Sequence, residues 1–385
     1  MSILILRTTP ADIRWTVRGI EADLAPTDCI IGRNEVDQGE SAVRRILALL
    51  RGEYVEGGKL AGEPLALPQA VAIHVPYGGR VFDRPVIADP NVIAQLESLL
   101  DEEPVHLPLI IKLILECAHE LEGVPIVLAF DTAFFVQLPA PEHSYAVGRV
   151  VTESMPVRRF GHHGLYHEAA SRTLGEQAGG AARRVLSICL EPRPEVAAIM
   201  NGTPLTVTGG ETPLEGLPGE RSCGDIDPSI VFTLAREKHW GIEQVNDVLT
   251  RRSGLLGLCG RPMSIRQALV GEHDECASAR LASRILCYRL QLACGAAVAI
   301  MGGLDAIVYS GSYYEVGHTI GGRLNTLLRC RRAGVTTKAR SYCYRPLLSD
   351  ILADCAHRTL AGDASSVHGQ MAGDRIATSA LLPID

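Results

Sequence analysis

The chain has 385 residues, enough for two domains at roughly 150 residues each. With 46% apolar and 21% charged residues it can bury a large core, which excludes disorder as its main state. The net charge of -7 excludes a non-specific nucleic-acid binder, which needs a basic surface.

Residues 2–6 form an apolar run ended by Arg7, with no basic segment before it, so no secretory signal is expected. After a turn at Thr8-Thr9-Pro10, Ile13–Val17 predicts a second strand. Ala70–Val75 and Ile126–Phe130 predict two more. Between them Ile110–Leu121 carries apolar residues at helical spacing (Ile111, Leu113, Ile114, Cys117, Ala118, Leu121). The second half repeats this grammar. Val185–Leu190 predicts a strand paired with Val196–Ile199 across a short turn. Ser229–Glu237, Ile242–Arg251 and Ala277–Met301 predict helices, and Asp305–Ser310 a strand entered from a Gly-Gly turn. Strand-rich starts followed by helices, twice over, predict two similar α/β halves. The longest uncharged apolar stretch, Leu292–Leu304, is 13 residues, short of the roughly 18–20 that cross a bilayer. It predicts a buried helix and no membrane partner. Eleven cysteines are scattered singly without CxxC spacing, as expected of reduced thiols in a cytoplasmic protein. The stretch Gly362–Gly373, rich in Gly, Ala and Ser, is expected to pack loosely.

Asp131 follows an apolar run in Ala129-Phe130-Asp131-Thr132-Ala133-Phe134, the position at which an open α/β sheet presents catalytic groups. Then come Arg158-Arg159-Phe160-Gly161-His162-His163-Gly164-Leu165-Tyr166-His167, Thr212-Pro213-Leu214-Glu215-Gly216-Leu217, Gly224-Asp225-Ile226-Asp227-Pro228 and Ser253-Gly254-Leu255-Leu256-Gly257. In this order the strings resemble the acetate/propionate kinase family. The resemblance implies an α/β fold of two actin-like (ribonuclease H-like) domains of the actin and sugar-kinase superfamily, with a cleft between them. They would span residues 1–150 and 151–345, with 346–385 packing back on the first. It also implies phosphoryl transfer from ATP to a small carboxylate, giving an acyl phosphate, with Mg2+, in a cytoplasmic homodimer.

By that resemblance Asp131 falls on the active-site aspartate of the family's FDTAF motif and would organise magnesium or the acceptor. His163 falls on the histidine of RRYGFHGTSH and would stabilise the transferring group. Arg266 falls on an arginine of the nucleotide pocket, and Gly311 and Glu315 on a glycine-rich adenine loop. Elsewhere the chain departs from the family. His74 stands where HRVVHGG carries a catalytic arginine. Ser222 stands at a second catalytic arginine, with Arg221 next door. The phosphate loop HLGNG becomes Cys189-Leu190-Glu191-Pro192-Arg193, and the opening phosphate turn becomes Arg7-Thr8-Thr9-Pro10-Ala11-Asp12. The metal-linked glutamate of NEEL is replaced in Pro346-Leu347-Leu348-Ser349.

Pro192 and Pro194 have no N–H to donate, so their loop cannot cradle phosphate with backbone amides. Arg7, Arg193 and Arg221 are the cations that would take over, because a guanidinium binds phosphate bidentately. Losing an arginine at the transferring phosphoryl costs on the order of 10³–10⁵ in rate. Ordinary acetate kinase activity is therefore expected to be weak or absent. Two readings follow: a carboxylate kinase with a rebuilt phosphate site, and a non-catalytic relative that binds a phospho-ligand as a scaffold or regulator.

The residues also leave local alternatives. Asp131 could cap a segment or pair with a buried arginine. His162, His163 and His167 could ligate a metal, or His162 and His167 could hydrogen-bond the domain junction. Asp225 and Asp227 could cap the helix that begins near Pro228. Glu191, Glu195 and Glu220 are expected to be solvated or paired with Arg193 and Arg221, which would occupy those arginines.

Overall fold

The computed structural model describes residues 1–9, 12–19, 29–32, 41–52, 55–56, 59–60, 67–103, 105–153, 155, 157–177, 182–271, 276–328, 330–332, 335–337, 339–362 and 380–384. The expected loose stretch at 362–373 lies outside these residues beyond Gly362, as do Pro10 and Ala11 of the opening turn. The chain forms two compact units, Met1–Val136 with Leu347–Gly369, and Gln137–Pro346 with Gln370–Asp385.

In the first unit Ile3–Thr8 pairs antiparallel with Asp12–Arg18, which pairs antiparallel with Cys29–Gly32. On its other side Ile3–Thr8 runs parallel to Ala70–Val75, and that strand runs parallel to Ile126–Phe130. The short strand Val86–Ile87 closes the edge antiparallel. Ile3, Leu4, Ile5 and Leu6 are fully buried, as are Val71, Ala72 and Ile73. A strand covered on both faces has no solvent side to keep polar, so it is an unbroken apolar run rather than an alternation. The helices Leu107–Glu120 and Leu348–Leu360 supply that cover. Leu107–Glu120 starts earlier than its apolar spacing predicts because Pro108 occupies the first turn, where a missing N–H costs nothing. Leu348–Leu360 is anchored by Arg18, whose guanidinium donates to Asp350 and to Ser349.

The second unit repeats the pattern. Thr203–Val207, Glu195–Met200 and Arg184–Cys189 form an antiparallel run. Arg184–Cys189 then lies parallel to Ala306–Ser310, which lies parallel to Arg340–Tyr344. Leu381–Ile384 closes the edge antiparallel. The C-terminal stretch expected to pack on the first domain thus divides: Leu348–Leu360 lies on the first sheet, and Leu381–Ile384 is a strand of the second.

The helix Ala277–Met301 has the bounds that its sequence predicts and ends at Gly302, whose φ of +65° favours glycine. It is long and apolar enough, by length and composition, to cross a membrane, which the 13-residue uncharged stretch alone is not. One face, including Ala282, Leu286, Leu290, Cys294 and Ala297, is buried. It packs against Gly254–Cys259, Ile265–Val270 and Glu195–Met200. Ten of the eleven cysteines, all but Cys330, are thiols outside any disulfide.

Candidate functional site

Two groups of residues emerge, one in each unit. In the first unit, His74 is the penultimate residue of Ala70–Val75, and Asp131 directly follows the parallel strand Ile126–Phe130. The register sets His74 opposite Ala129 and Val75 opposite Phe130. Both functional side chains therefore leave the sheet at the carboxyl ends of its central strands, where such sheets present their chemistry. His74 Nε2 lies 2.7 Å from Asp131 Oδ2. The two residues are 8% and 7% exposed. The pair is fixed from behind. Asp131 N–H donates to the Val75 carbonyl at 3.0 Å, and Thr132 Oγ1 accepts the Gly78 N–H at 2.9 Å. No ion pair among the described residues joins Asp131 to an arginine. Its partner is His74.

Thr8 ends the neighbouring parallel strand on the same edge. Its Oγ1 is buried with no hydrogen-bond partner. No group of three or more His, Cys, Asp or Glu that could hold a metal occurs among the described residues. An all-protein metal cage is therefore not what this edge offers. Magnesium is commonly held by one or two carboxylates and the substrate's phosphates, and Asp131 is the carboxylate that follows the strand Ile126–Phe130.

In the second unit the strings are joined by Arg159. Its Nη2 lies 2.6 Å from Glu215 Oε1, and its Nη1 donates to the Gly209 carbonyl at 3.1 Å. Tyr145 also bonds Glu215 and lies under the Arg159 guanidinium, 5.6 Å from ring centre to Cζ. Burial and the neighbouring carboxylate push the Tyr145 hydroxyl well above its ordinary value, so it stays a donor. Phe160 and Gly161 N–H both donate to the Gly210 carbonyl. This frame positions His163, whose ring Nε2 lies 3.0 Å from the Arg193 carbonyl oxygen. His167 is fully buried, with Nδ1 2.8 Å from Ser187 Oγ, a hydrogen-bonding role within the fold.

The three glutamates differ from expectation. Glu195 is 3% exposed and accepts backbone N–H bonds from His162 and His163. Glu191 accepts from Ser312 N and Oγ, each at 2.8 Å. Glu220 accepts from Ile265 N at 3.1 Å and Tyr313 Oη at 2.9 Å. No ion pair among the described residues joins them to Arg193 or Arg221. Backbone and hydroxyl donors, closer at hand than a long side chain, have taken the carboxylates.

Arg193 is exposed, and the start of its stem lies beside Gly219. A Cβ added at Gly219 would meet Ser222 Oγ at 2.5 Å, the Pro192 carbonyl at 2.8 Å and Arg193 Cγ at 3.3 Å. Ser222 is buried, whereas its neighbour Arg221 is exposed and uses its carbonyl to accept Ser253 N–H. Asp225 Oδ1 accepts Gly216 N–H at 2.7 Å and so braces a loop. Asp227 Oδ1 accepts Ser229 N–H at 2.8 Å, the capping bond expected at that helix start.

Arg266 and Glu315 come together as an ion pair at 3.3 Å. Gly311 has φ +88°, and a Cβ there would meet the Leu190 carbonyl at 2.6 Å, so only glycine allows that turn to lie against the loop. Several backbone positions in these loops offer a phosphate no donor. Two prolines donate nothing, Glu191 holds the Ser312 amide and brings negative charge, and the Gly311 face is closed by Leu190. Arg193 is the cation the loop itself offers. In the sequence Thr8 has no role beyond its turn, and Glu195 is expected there to be solvated or paired with an arginine. The signal for Glu195 was a charged residue opening the otherwise apolar run Glu195-Val196-Ala197-Ala198-Ile199-Met200.

Two mixed sheets of one repeated pattern, the first with His74 and Asp131 at the carboxyl ends of its central strands, define an α/β protein. The chain belongs to the acetokinase family, whose model matches residues 40–331. It is 35% identical over 270 residues to an acetate kinase of Leifsonia xyli subsp. xyli, covering 70% of this chain and 67% of that protein. It is 36% identical over 273 residues to an acetate kinase of Clavibacter michiganensis subsp. michiganensis, with the same coverage of each chain. Its fold matches the crystal structure of Porphyromonas gingivalis acetate kinase with a TM-score of 0.77 and 23% identity, over 93% of this chain and 99% of that one. Acetate kinase from Entamoeba histolytica matches with a TM-score of 0.75 and 20% identity over the same shares.

Proposed function

We propose that the chain is a divergent carboxylate kinase that exchanges a phosphoryl group between ATP and a short-chain carboxylate, and that its ordinary acetate kinase activity is weak. It would work in the cytoplasm as a homodimer, with magnesium. The observation that carries this reading is the buried His74–Asp131 pair at the strand ends, 2.7 Å apart, in a chain of the acetokinase family. Phosphoryl transfer to a carboxylate brings two anions together, and the protein must hold them in line and offset their charge. In this reading Asp131 fixes the His74 ring so that the imidazole faces the acceptor, and His163 contacts the transferring group. Histidine offers one donor toward a carboxylate where arginine offers a planar fork. Weaker positioning, and so slower transfer, follows from that exchange.

The second reading, a non-catalytic binder of a phospho-ligand, is favoured by one observation: Arg266 is paired with Glu315 while Glu191 holds the Ser312 amide. Purified protein incubated with ATP, magnesium and acetate, propionate or butyrate, with acyl phosphate trapped as the hydroxamate, separates the two. Turnover with any of these acceptors supports the kinase. No turnover, with acetyl phosphate still bound in isothermal titration, supports the binder.

A further inference from the structure

Charge taken out of water must be met by strong partners, and a carboxylate left alone in the interior is expensive. Glu195 meets that demand without an arginine or lysine. Its Oε2 accepts the His162 N–H at 3.1 Å, its Oε1 accepts the His163 N–H at 3.1 Å, and His167 Nε2 lies 3.3 Å from Oε1. Gly209 leaves the room for it, since a Cβ there would land on the carboxylate. Burial alone would raise the Glu195 carboxyl. The His167 contact and the charges of His163, His167 and His162 outweigh burial and hold it at about 2, so the group is ionised at neutral pH.

His163 is tied twice to the same short segment. Its backbone N–H donates to Glu195, and its ring Nε2 donates to the Arg193 carbonyl at 3.0 Å. That segment is itself anchored, because Glu195 opens the strand Glu195–Met200 and sits opposite Cys189 in the sheet. Pro192 and Pro194, useless for binding phosphate through N–H groups, stiffen the backbone that carries the Arg193 carbonyl.

We infer that Glu195 is the positioning residue for His163. Its carboxylate grips the His162–His163 backbone while the Arg193 carbonyl holds the ring, so the proline loop orients a histidine rather than wrapping a phosphate. The inference rests on the role given to His163 under the proposed function.

The test uses the full chain with Glu195→Gln, which keeps size and an acceptor but drops the charge, and Glu195→Ala, which empties the seat. ATP formation from acetyl phosphate and ADP should lose about a hundredfold in kcat in Glu195→Ala, the scale of a misplacement of about 1 Å at a reacting group. KM for ADP should stay where it is. Glu195→Gln should lose less. Formate, small enough for the emptied seat, should restore part of the Glu195→Ala loss. By NMR, the His162 and His163 amide signals and the His163 ring signals should move in Glu195→Ala and return with formate. Wild-type kcat in Glu195→Ala, or His163 ring signals that do not move, would overturn the inference. A wild-type protein with no turnover removes the phosphoryl-transfer reading instead, and the NMR signals still decide the role of Glu195. If both variants fail to fold, hydrogen exchange on the unaltered protein decides. Protection of the His162 and His163 amides at the level of the sheet supports the inference, and exchange at open-loop rates overturns it.

Discussion

The His74–Asp131 pair makes a prediction that separates chemistry from packing. Asp131→Ala leaves a buried imidazole donor without its acceptor, a loss of about 1–3 kcal/mol that a urea midpoint would register. Asp131→Asn keeps an acceptor and should cost less stability. Both should lower phosphoryl transfer by roughly 10²–10⁴, the usual worth of a positioned acid–base group. Lowered stability with unchanged turnover would assign the pair to packing. Glu195 gives a pH prediction. Its folded value of about 2 lies below the ordinary 4.5, so its contribution to stability is complete above the unfolded value and is lost as pH falls toward 2. Acid unfolding should therefore be steeper in the wild type than in Glu195→Gln across that window, by an amount on the order of a few kcal/mol. Parallel acid-unfolding curves would show that the charge contributes nothing. Asp131 was legible in the sequence because a carboxylate at the end of an apolar strand has a limited set of places to go. Glu195 was not, because Glu-Pro-Arg-Pro-Glu has the composition of a solvated loop and nothing local reveals that its last residue faces backbone amides.

Among elements, those with marked ends were read closely. Ile242–Arg251 follows Gly241, and Ala277–Met301 stops at Gly302. The short edge strand Val86–Ile87 was not legible, since two residues carry no periodicity. Leu348–Leu360 did carry a signal, with Leu348, Ile351, Leu352, Cys355 and Ala356 at helical spacing. Ala277–Met301 has more apolar surface than its covered face accounts for. Leu281, Tyr288 and Leu292, seven and four residues apart and so on one stripe, are 53%, 60% and 49% exposed. Ala296 and Ala299 continue the stripe, and exposed Arg284 and Arg289 flank it. An apolar stripe with a charged margin is the anatomy of an interface, and identical chains most often pair about a two-fold axis. We predict self-association through this helix, with a light-scattering mass twice the 41.4 kDa of one chain. Leu292→Arg should shift that mass toward one chain without unfolding the unit, because the buried stripe of the helix is untouched. A wild-type mass of one chain at micromolar concentration would refute the prediction.

At the scale of the whole chain, both sheets run as three antiparallel strands, two parallel strands and an antiparallel edge, and this duplication was visible as a repeated strand-then-helix grammar. What the sequence could not show is how far a preserved frame constrains altered loops. Arg159 and Glu215 are joined and the strands are in register, while by the resemblance the segments they display have new occupants. His74 and Ser222 stand at two positions where the resemblance places arginines, so hydroxamate-coupled acetate turnover should fall below the tens per second within the usual range for kinases. Any phosphate ligand still needs cationic partners, and the exposed arginines next to the altered loops are Arg193 and Arg221. Arg193 is the better placed, because its stem lies beside Gly219 and its carboxylate neighbours are committed to other donors. A charge-assisted contact contributes roughly 1.5–3 kcal/mol, so Arg193→Ala should weaken acetyl phosphate or ATP binding about tenfold to hundredfold in isothermal titration. Its melting temperature should hardly change, since Arg193 is exposed and joins no ion pair among the described residues. Arg221→Ala should act in the same direction, and less strongly, because the Arg221 segment is held by its backbone carbonyl to Ser253 whatever its side chain does. Unchanged affinity in both variants would mean that no rebuilt phosphate site exists at these loops, and would leave the non-catalytic binder as the better account of the chain.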